Sequence, residues 1–337
     1  MDRRAFIRTS GILTASAMMA NESNAAEKTA NAPAPLKNMV NPFEVEGKFY
    51  KAALHVHTTT SDGDVDVATR IPQYRKHGYD IVAITDHWKT NDLSGYSDEK
   101  FLAISGMEFH PKTGTGAPAH HLIALDIPHP LKLDSGKPAQ ELVDQVINAG
   151  GKVIYAHPYW TAHTLEEMSE ITGYIAIEVF NAVCGLGAGK SYGNVHWYQI
   201  MNRGCVLPAV SVDDIHSSSN INLGWTMIKA KALNTADIMD AISKGSYYAS
   251  CGPVIEDYRV ENGTVSLKCS EASKIRFLYD GSGGGRTFNA DKGKSITSAS
   301  WKFGDSKRTL KWIRAEVIDS DGNFAWANPI KIETDKA

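Results

Sequence analysis

The sequence predicts an α/β protein, either a closed barrel or a doubly wound sheet, followed by a smaller antiparallel β module. Three observations lead there. From residue 50 to residue 250, short β-rich runs alternate with longer amphipathic ones, the pattern of strands joined by crossover helices. After Cys251 the helical pattern stops, and short β runs are separated by Gly- and Asp-rich turns such as Asp280-Gly281-Ser282-Gly283 and Asp319-Ser320-Asp321-Gly322. Finally, the predicted strands of the first part repeatedly end on His, Asp or Glu.

The expected strands of the first part are 52–57, 80–85, 102–108, 121–126, 152–156, 175–180, 206–212 and 225–229. The expected helices are 67–77, 139–149, 164–170, 195–202 and 235–243. In the second helix Leu142, Val143, Val146 and Ile147 form one apolar stripe, and Gly150-Gly151 stops it before the next strand. Parallel strands are expected throughout. The module, expected over 251–337, reads as strands at 254–260, 264–269, 274–279, 295–301, 310–318 and 324–332, with no long helix between them.

The chain opens Met1-Asp2-Arg3-Arg4-Ala5-Phe6-Ile7-Arg8. A short apolar run and the small residues Ser23-Asn24-Ala25-Ala26 follow. This is the layout of a signal peptide over 1–26, and the adjacent arginines resemble a twin-arginine export signal. The mature protein is then expected in the bacterial periplasm or secreted, with no membrane anchor. Residues 27–48, with Ala-Pro-Ala-Pro at 32–35, read as a linker, and the barrel is expected over 49–250. A net charge of −3 leaves no basic footprint for nucleic acid. Four cysteines without C-x-x-C spacing form neither a disulfide framework nor a thiolate zinc site. The 12 histidines all fall between His55 and His216.

Six segments at predicted strand ends carry metal-ligating side chains. They are His55-Val56-His57, Thr85-Asp86-His87, Gly106-Met107-Glu108, His120-His121, His157-Pro158 and Asp213-Asp214-Ile215-His216. Residues i and i+2 on a strand point the same way, so His55 and His57 can reach one ion together. At a barrel rim, groups from different strands converge. Imidazoles and carboxylates there suit zinc, manganese and iron, and a carboxylate can bridge two ions. So many ionisable groups on one rim would be costly without cations between them.

In this order, His55-x-His57 with Ser61-Asp62-Gly63, Asp86-His87, Gly106-x-Glu108, His157-Pro158 and Asp214-x-His216 resemble the motifs of the PHP (polymerase and histidinol phosphatase) superfamily. Ile177-Glu178-Val179-Phe180-Asn181 and the tail through Asn328-Pro329 are similar to its CehA/McbA branch, whose namesake hydrolyses the carbamate carbaryl. The resemblance implies a distorted seven-stranded barrel holding two or three divalent ions. His55, His57, Glu108 and Asp214 would hold one ion, and Asp62, His87 and His216 another. Glu108, His121 and His157 would hold the third, with Glu108 bridging. Asp64 competes with Asp62, His120 with His121, and Asp213 with Asp214.

The reaction expected is hydrolysis of a small, anionic substrate by a metal-bound hydroxide, with Asp214, His216 and Glu108 as the catalytic residues. A phosphomonoester or phosphodiester is the leading substrate class, and a carbamate, ester or amide is the alternative. A metal-stabilised binding module is the non-enzymatic reading. Lys89 and Trp160 are candidate substrate contacts; a solvated loop lysine is the favoured reading of Lys89, and a packing aromatic is the alternative for Trp160. Asp86 is expected to orient an imidazole. His110, His129, His163 and His196 are expected to stand outside the metal site.

Overall fold

The computed structural model describes residue 36, residues 38–304 and residues 309–332. The expected signal peptide and most of the linker lie outside the described residues. The part of the linker that is described packs against the body. The Val40 amide donates to the Lys244 carbonyl, Asn41 donates to the Tyr258 carbonyl, and Phe43 packs on Phe49 and Tyr248.

In chain order the first part comprises β1 (Lys48–Ala53), α1 (Val67–Lys76), β2 (Ile81–Ile84), β3 (Leu102–Phe109), β4 (Leu122–Leu125), α2 (Ala139–Asn148), β5 (Lys152–Tyr155), α3 (Leu165–Met168) and β6 (Tyr174–Asn181). It continues with α4 (Ala182–Ala188), α5 (Asn194–Asn202), β7 (Ala209–Val212), β8 (Trp225–Ala230), α6 (Thr235–Ser243) and β9 (Tyr247–Ser250). The second part comprises β10 (Ile255–Glu261), β11 (Thr264–Ala272), β12 (Lys274–Tyr279), β13 (Gly285–Asn289), β14 (Ile296–Lys302), β15 (Trp312–Ile318) and β16 (Phe324–Lys331). None of the described helices is long and apolar enough to cross a membrane.

The result is a mixed α/β protein with a large central sheet, in the order β13-β12-β15-β16-β9-β8-β1-β2-β3-β4-β5-β6-β7. Strands β1 to β7 are consecutive neighbours. The far end curls back, because Val56 beyond β1 bridges Ile215 beyond β7, and Ser211 and Thr226 exchange hydrogen bonds between β7 and β8. The expectation of parallel strands throughout is corrected. Strand β4 runs antiparallel to both β3 and β5. The physical reason is the long 110–120 connection, which returns the chain to the same rim, so that β4 starts where its neighbours end.

The module is not a detached sheet. Strands β12, β13, β15 and β16 extend the central sheet through β9, while β10, β11 and β14 form a three-stranded sheet against it. The α4 helix was not expected, since Gly185 and Gly187 weaken its pattern. It is started by the Asn181 side chain, which accepts from the Cys184 amide, and closed by Gly189 in the left-handed region.

One core unites alternate residues of the strands: Ala52, Ile81 and Ala83, Leu102 and Ile104, Ile123 and Leu125, Ala176, and Val210 and Val212. The opposite faces pack on α2 and α5. A strand buried on both faces reads as a continuous apolar run, as the fully buried Ile81–Ile84 does. Carried on at period 2, the core-facing rows lead to Glu108 on β3, His121 before β4, Glu178 on β6 and Asp214 after β7. The core thus aims the polar residues at one rim.

Candidate metal centre

The rim brings together the side chains that the sequence singled out. His55 and His57 follow β1, with ring nitrogens Nε2 3.0 Å apart. Both face Glu108 Oε2, at 3.1 and 3.3 Å, and Asp214 Oδ1, at 3.1 Å each. This group is buried. Beside it, Asp62 Oδ2 lies 3.3 Å from His87 Nε2 and 3.4 Å from His216 Nε2. On the other side Glu108 Oε1 lies 2.8 Å from His121 Nδ1 and 3.3 Å from His157 Nε2. Glu108 therefore joins two groups through its two oxygens, and His57 joins two through its ring.

These spacings test whether divalent ions fit. Metal–ligand bonds of about 2.0–2.2 Å place neighbouring ligand atoms about 2.8–3.6 Å apart at octahedral or tetrahedral angles. The nitrogen–oxygen edges of all three groups fall in that range. At the rim, buried His157 Nδ1 has no hydrogen-bond partner, and Asp214 Oδ1, His87 Nδ1 and His110 Nε2 face only other candidate ligand atoms, without a well-formed hydrogen bond. Orphaned buried polar atoms are rare in folded proteins, and here they cluster where a cation would satisfy them. The donor set of imidazole and carboxylate suits zinc, manganese or iron.

Neighbouring residues fix the rings. His55 Nδ1–H donates to Glu178 Oε1 at 2.7 Å, which turns Nε2 into the group. Glu178 Oε2 accepts from the His157 amide and from Asn181 Nδ2, and Asn181 also donates to Asp214 Oδ2. His216 Nδ1–H donates to the Asp214 carbonyl, leaving Nε2 facing Asp62. His157 and Asp214 have φ of 22° and 55°, and Trp88, next to His87, has 57°. Such backbone is costly for non-glycine residues and persists where the surroundings over-determine it. Gly63 is required by a close approach, since a Cβ there would sit 2.6 Å from the His57 carbonyl oxygen.

The electrostatics are those of carboxylates massed in a dry place. Burial alone would lower the His55 pKa, but Asp214, Glu178 and Glu108 reverse it and hold the ring well above its usual range. Burial also works against His57, and hydrogen bonds to Asp214 and Glu108 carry it up to about 9. His157 is raised for the same reasons. Burial wins at His121, pushed down to about 4. Burial opposes the ionisation of Glu108 and Asp214, yet the facing imidazoles hold both carboxyls below their usual range. Without metal, protons shared with histidine balance these anions.

The structure also places the competing residues. Asp64 is held by Arg70 and the Ser218 amide, outside the groups. His120 bonds Tyr155 and Glu170. Asp213 accepts from Tyr74 and from the amides of Asn222, Leu223 and Gly224. Asp62, His121 and Asp214 are the members of each pair that join the groups. His129, His163 and His196 stand apart on Thr90, Tyr155 and the His163 carbonyl respectively.

Three expectations change. His110 joins the rim: its Nε2 is 3.3 Å from Glu108 Oε1 and its ring stacks on His121 at 3.9 Å. The available signal was its position two residues past Glu108, at the tip of β3. Asp86 touches no imidazole. It accepts from Thr58, Ser61 and Asn91 and so braces the loop that carries Asp62, with Ser61 Oγ 3.4 Å from His57 Nδ1. Lys89 donates to the Thr60 carbonyl and does not line the cavity.

The cavity over the groups measures about 290 Å³. Its polar floor includes Glu108, Asp214 and His216, and its wall includes Trp160, Val183 and Cys184. The Trp160 ring stands 5.4 Å from His121 and 5.3 Å from His157. No Lys or Arg lines this cavity.

No protein-family model matches the chain, and no curated protein matches it. Solved structures do. One is a two-domain protein from Bacteroides vulgatus containing a predicted PHP-like metal-dependent phosphoesterase. It is 15% identical with a TM-score of 0.48, and the match covers 88% of this chain and 99% of that one. Another is a candidate metal-dependent phosphoesterase from Bifidobacterium adolescentis, 14% identical with a TM-score of 0.40, matched over 59% of this chain and 98% of that one. A third is an amidohydrolase from Chromobacterium violaceum, 16% identical with a TM-score of 0.36, matched over 49% and 87%.

Proposed function

We propose that this protein is a hydrolase that uses two or three divalent ions, with phosphoesters as its leading substrate class. The observation that carries the reading is the convergence of the three ligand groups at ligand-to-ligand spacing, with orphaned polar atoms among them. Strands β1 to β7 would form the distorted seven-stranded barrel, and the segment over 1–26 supports export to the periplasm, which cell fractionation tests.

His55, His57, Glu108 and Asp214 would hold one ion, Asp62, His87 and His216 a second, and Glu108, His121 and His157 a third. Divalent ions there supply a Lewis acid and an acidified water. The chain's own residues do the rest. Glu178 and the Asp214 carbonyl hold His55 and His216 in the tautomers that turn Nε2 inward. His216, in the cavity floor, has Nδ1–H on the Asp214 carbonyl and Nε2 toward Asp62, so it would hold the second ion beside the substrate space. Glu108 and Asp214 keep the floor anionic, which holds cations in place. Trp160 and Val183 limit water on one side.

A carbamate, ester or amide is the second reading. The absence of Lys and Arg from the cavity lining favours it, because no side-chain cation meets a charged phosphoryl group there. Assays of metal-loaded protein against p-nitrophenyl phosphate, its bis-ester and p-nitrophenyl acetate separate the two. Phosphate ester turnover supports the first reading, turnover of the acetate alone supports the second, and turnover of none of them sinks both.

A further inference from the structure

The mouth of the cavity has a composition of its own. Among the described residues, the exposed large hydrophobic side chains include Tyr159 and Trp160, next to each other after His157-Pro158, and Leu186 on α4, whose Val183 and Cys184 line the cavity with Trp160. Trp160 is 44% exposed although it lines the cavity. An apolar wall left open beside a polar floor is the usual make-up of a small-molecule site. Beside this wall, just past the end of α4, stands Lys190. Its backbone is fixed by the α4 cap, with its amide on the Cys184 carbonyl and Gly189 left-handed before it. Its ammonium reaches across to the Trp160 carbonyl at 3.5 Å and lies 5.8 Å from the Tyr159 ring. Burial and the rim carboxylates push the Cys184 thiol up, and Lys190 opposes them, which places its charge within reach of the cavity wall.

We infer that Trp160 and Lys190 form a recognition pair, selecting substrates with a flat apolar body next to the scissile group and an anionic substituent at its far end. The inference rests on the hydrolase reading and is indifferent to whether phosphorus or carbon is attacked. The indole, 44% exposed and packed edge-to-face on His121 and His157, offers its remaining surface to the apolar body. The ammonium meets the distal anion at the mouth, where no carboxylate of the floor competes for it. Sugar or glycerol esters gain nothing from the wall, and an unsubstituted aryl ester gains only the first contact.

The test is calorimetric binding to manganese-loaded protein of methylphosphonate, phenylphosphonate and 4-carboxyphenylphosphonate. Wild type is expected to bind phenylphosphonate about tenfold or more tighter than methylphosphonate, the value of one well-covered aromatic ring. The carboxyl group is expected to add about three- to fivefold, as an exposed ion pair does. Trp160→Ala should erase the first ratio, and Lys190→Met should erase only the second, leaving the phenyl-over-methyl ratio intact. Equal affinities in wild type, unaltered preferences in the variants, or no binding of any of the three would overturn the inference. Turnover of the matching esters judges the hydrolase reading separately. Selective binding without turnover would sink that reading alone, and turnover without selectivity would sink the recognition pair alone.

Discussion

Two groups of buried histidines lie close together in this protein, and they are built on opposite rules. In the group behind the rim, ring nitrogens meet ordinary partners. His120 Nδ1 faces the Tyr155 hydroxyl at 2.9 Å, the same hydroxyl faces His163 Nδ1 at 2.8 Å, and His163 Nε2–H donates to the Pro118 carbonyl. Glu170 takes the remaining nitrogen of His120. In the rim group, ring nitrogens face one another and the same carboxylate oxygens. Burial lowers the pKa of His120 and His163, whereas carboxylates overturn that effect at His55, His57 and His157. Burial of an imidazole therefore does not identify a metal ligand. What identifies one is nitrogens converging on a point that no protein donor fills.

The comparison can be broken by substitution. The largest effect is expected from His55→Ala with His57→Ala. Elemental analysis should show the ions of the shared group lost, and turnover should fall by at least about a thousandfold. Retained activity would remove the metal role of the rim. Next, Glu178→Gln should weaken metal affinity about 10- to 100-fold by loosening the His55 ring, while the fold stays intact by circular dichroism. Tyr155→Phe acts on the other group. It should cost about 1–3 kcal/mol in urea unfolding by stranding His120 and His163, with metal content unchanged. If the variant loses metal instead, the two groups are not independent.

The pH response sharpens the same contrast. His55, His57 and His157 are raised, so they carry protons near neutral pH that ions must displace. Metal binding at pH 7 should release protons, seen as a dependence of the calorimetric enthalpy on buffer ionisation heat. The smallest effect belongs to Glu167, beside the second group. The Thr164 hydroxyl brings its carboxyl down to about 2, with help from the Thr164 amide and Thr115. A depressed carboxyl stabilises above its ordinary range and loses that contribution as pH falls through the folded value. Glu167→Gln should flatten the stability loss between about pH 4.5 and 2 and do little at pH 7.

Much of this was legible in the sequence, for physical reasons that particular residues show. Period-2 apolar rows ending on Glu108 and Asp214 announce both the strand and the direction of its tip. The antiparallel course of β4 was not legible, because a four-residue apolar run such as Leu122–Leu125 carries no sign of its direction. Nor was α4, whose glycines hide a helix that depends on the Asn181 cap. Asp213 and Asp214 are indistinguishable by composition. The Asp214-x-His216 spacing favours Asp214, and the turn that gives Asp213 three backbone amides supplies the physical reason. His110 was missed because its one signal, a place two residues past Glu108 on the same row, lies beyond the predicted end of the strand at residue 108. Lys89 was a candidate anion contact because it stands two residues past His87, but its ammonium turns away to Thr60.

The central claim is that the rim holds a cluster of divalent ions, and anomalous diffraction from crystals grown with manganese tests it most directly. The account predicts at least two peaks, one among His55, His57, Glu108 and Asp214 and others beside His216 or His157. A map with no anomalous peak at the rim, or peaks only on surface carboxylates, would contradict it.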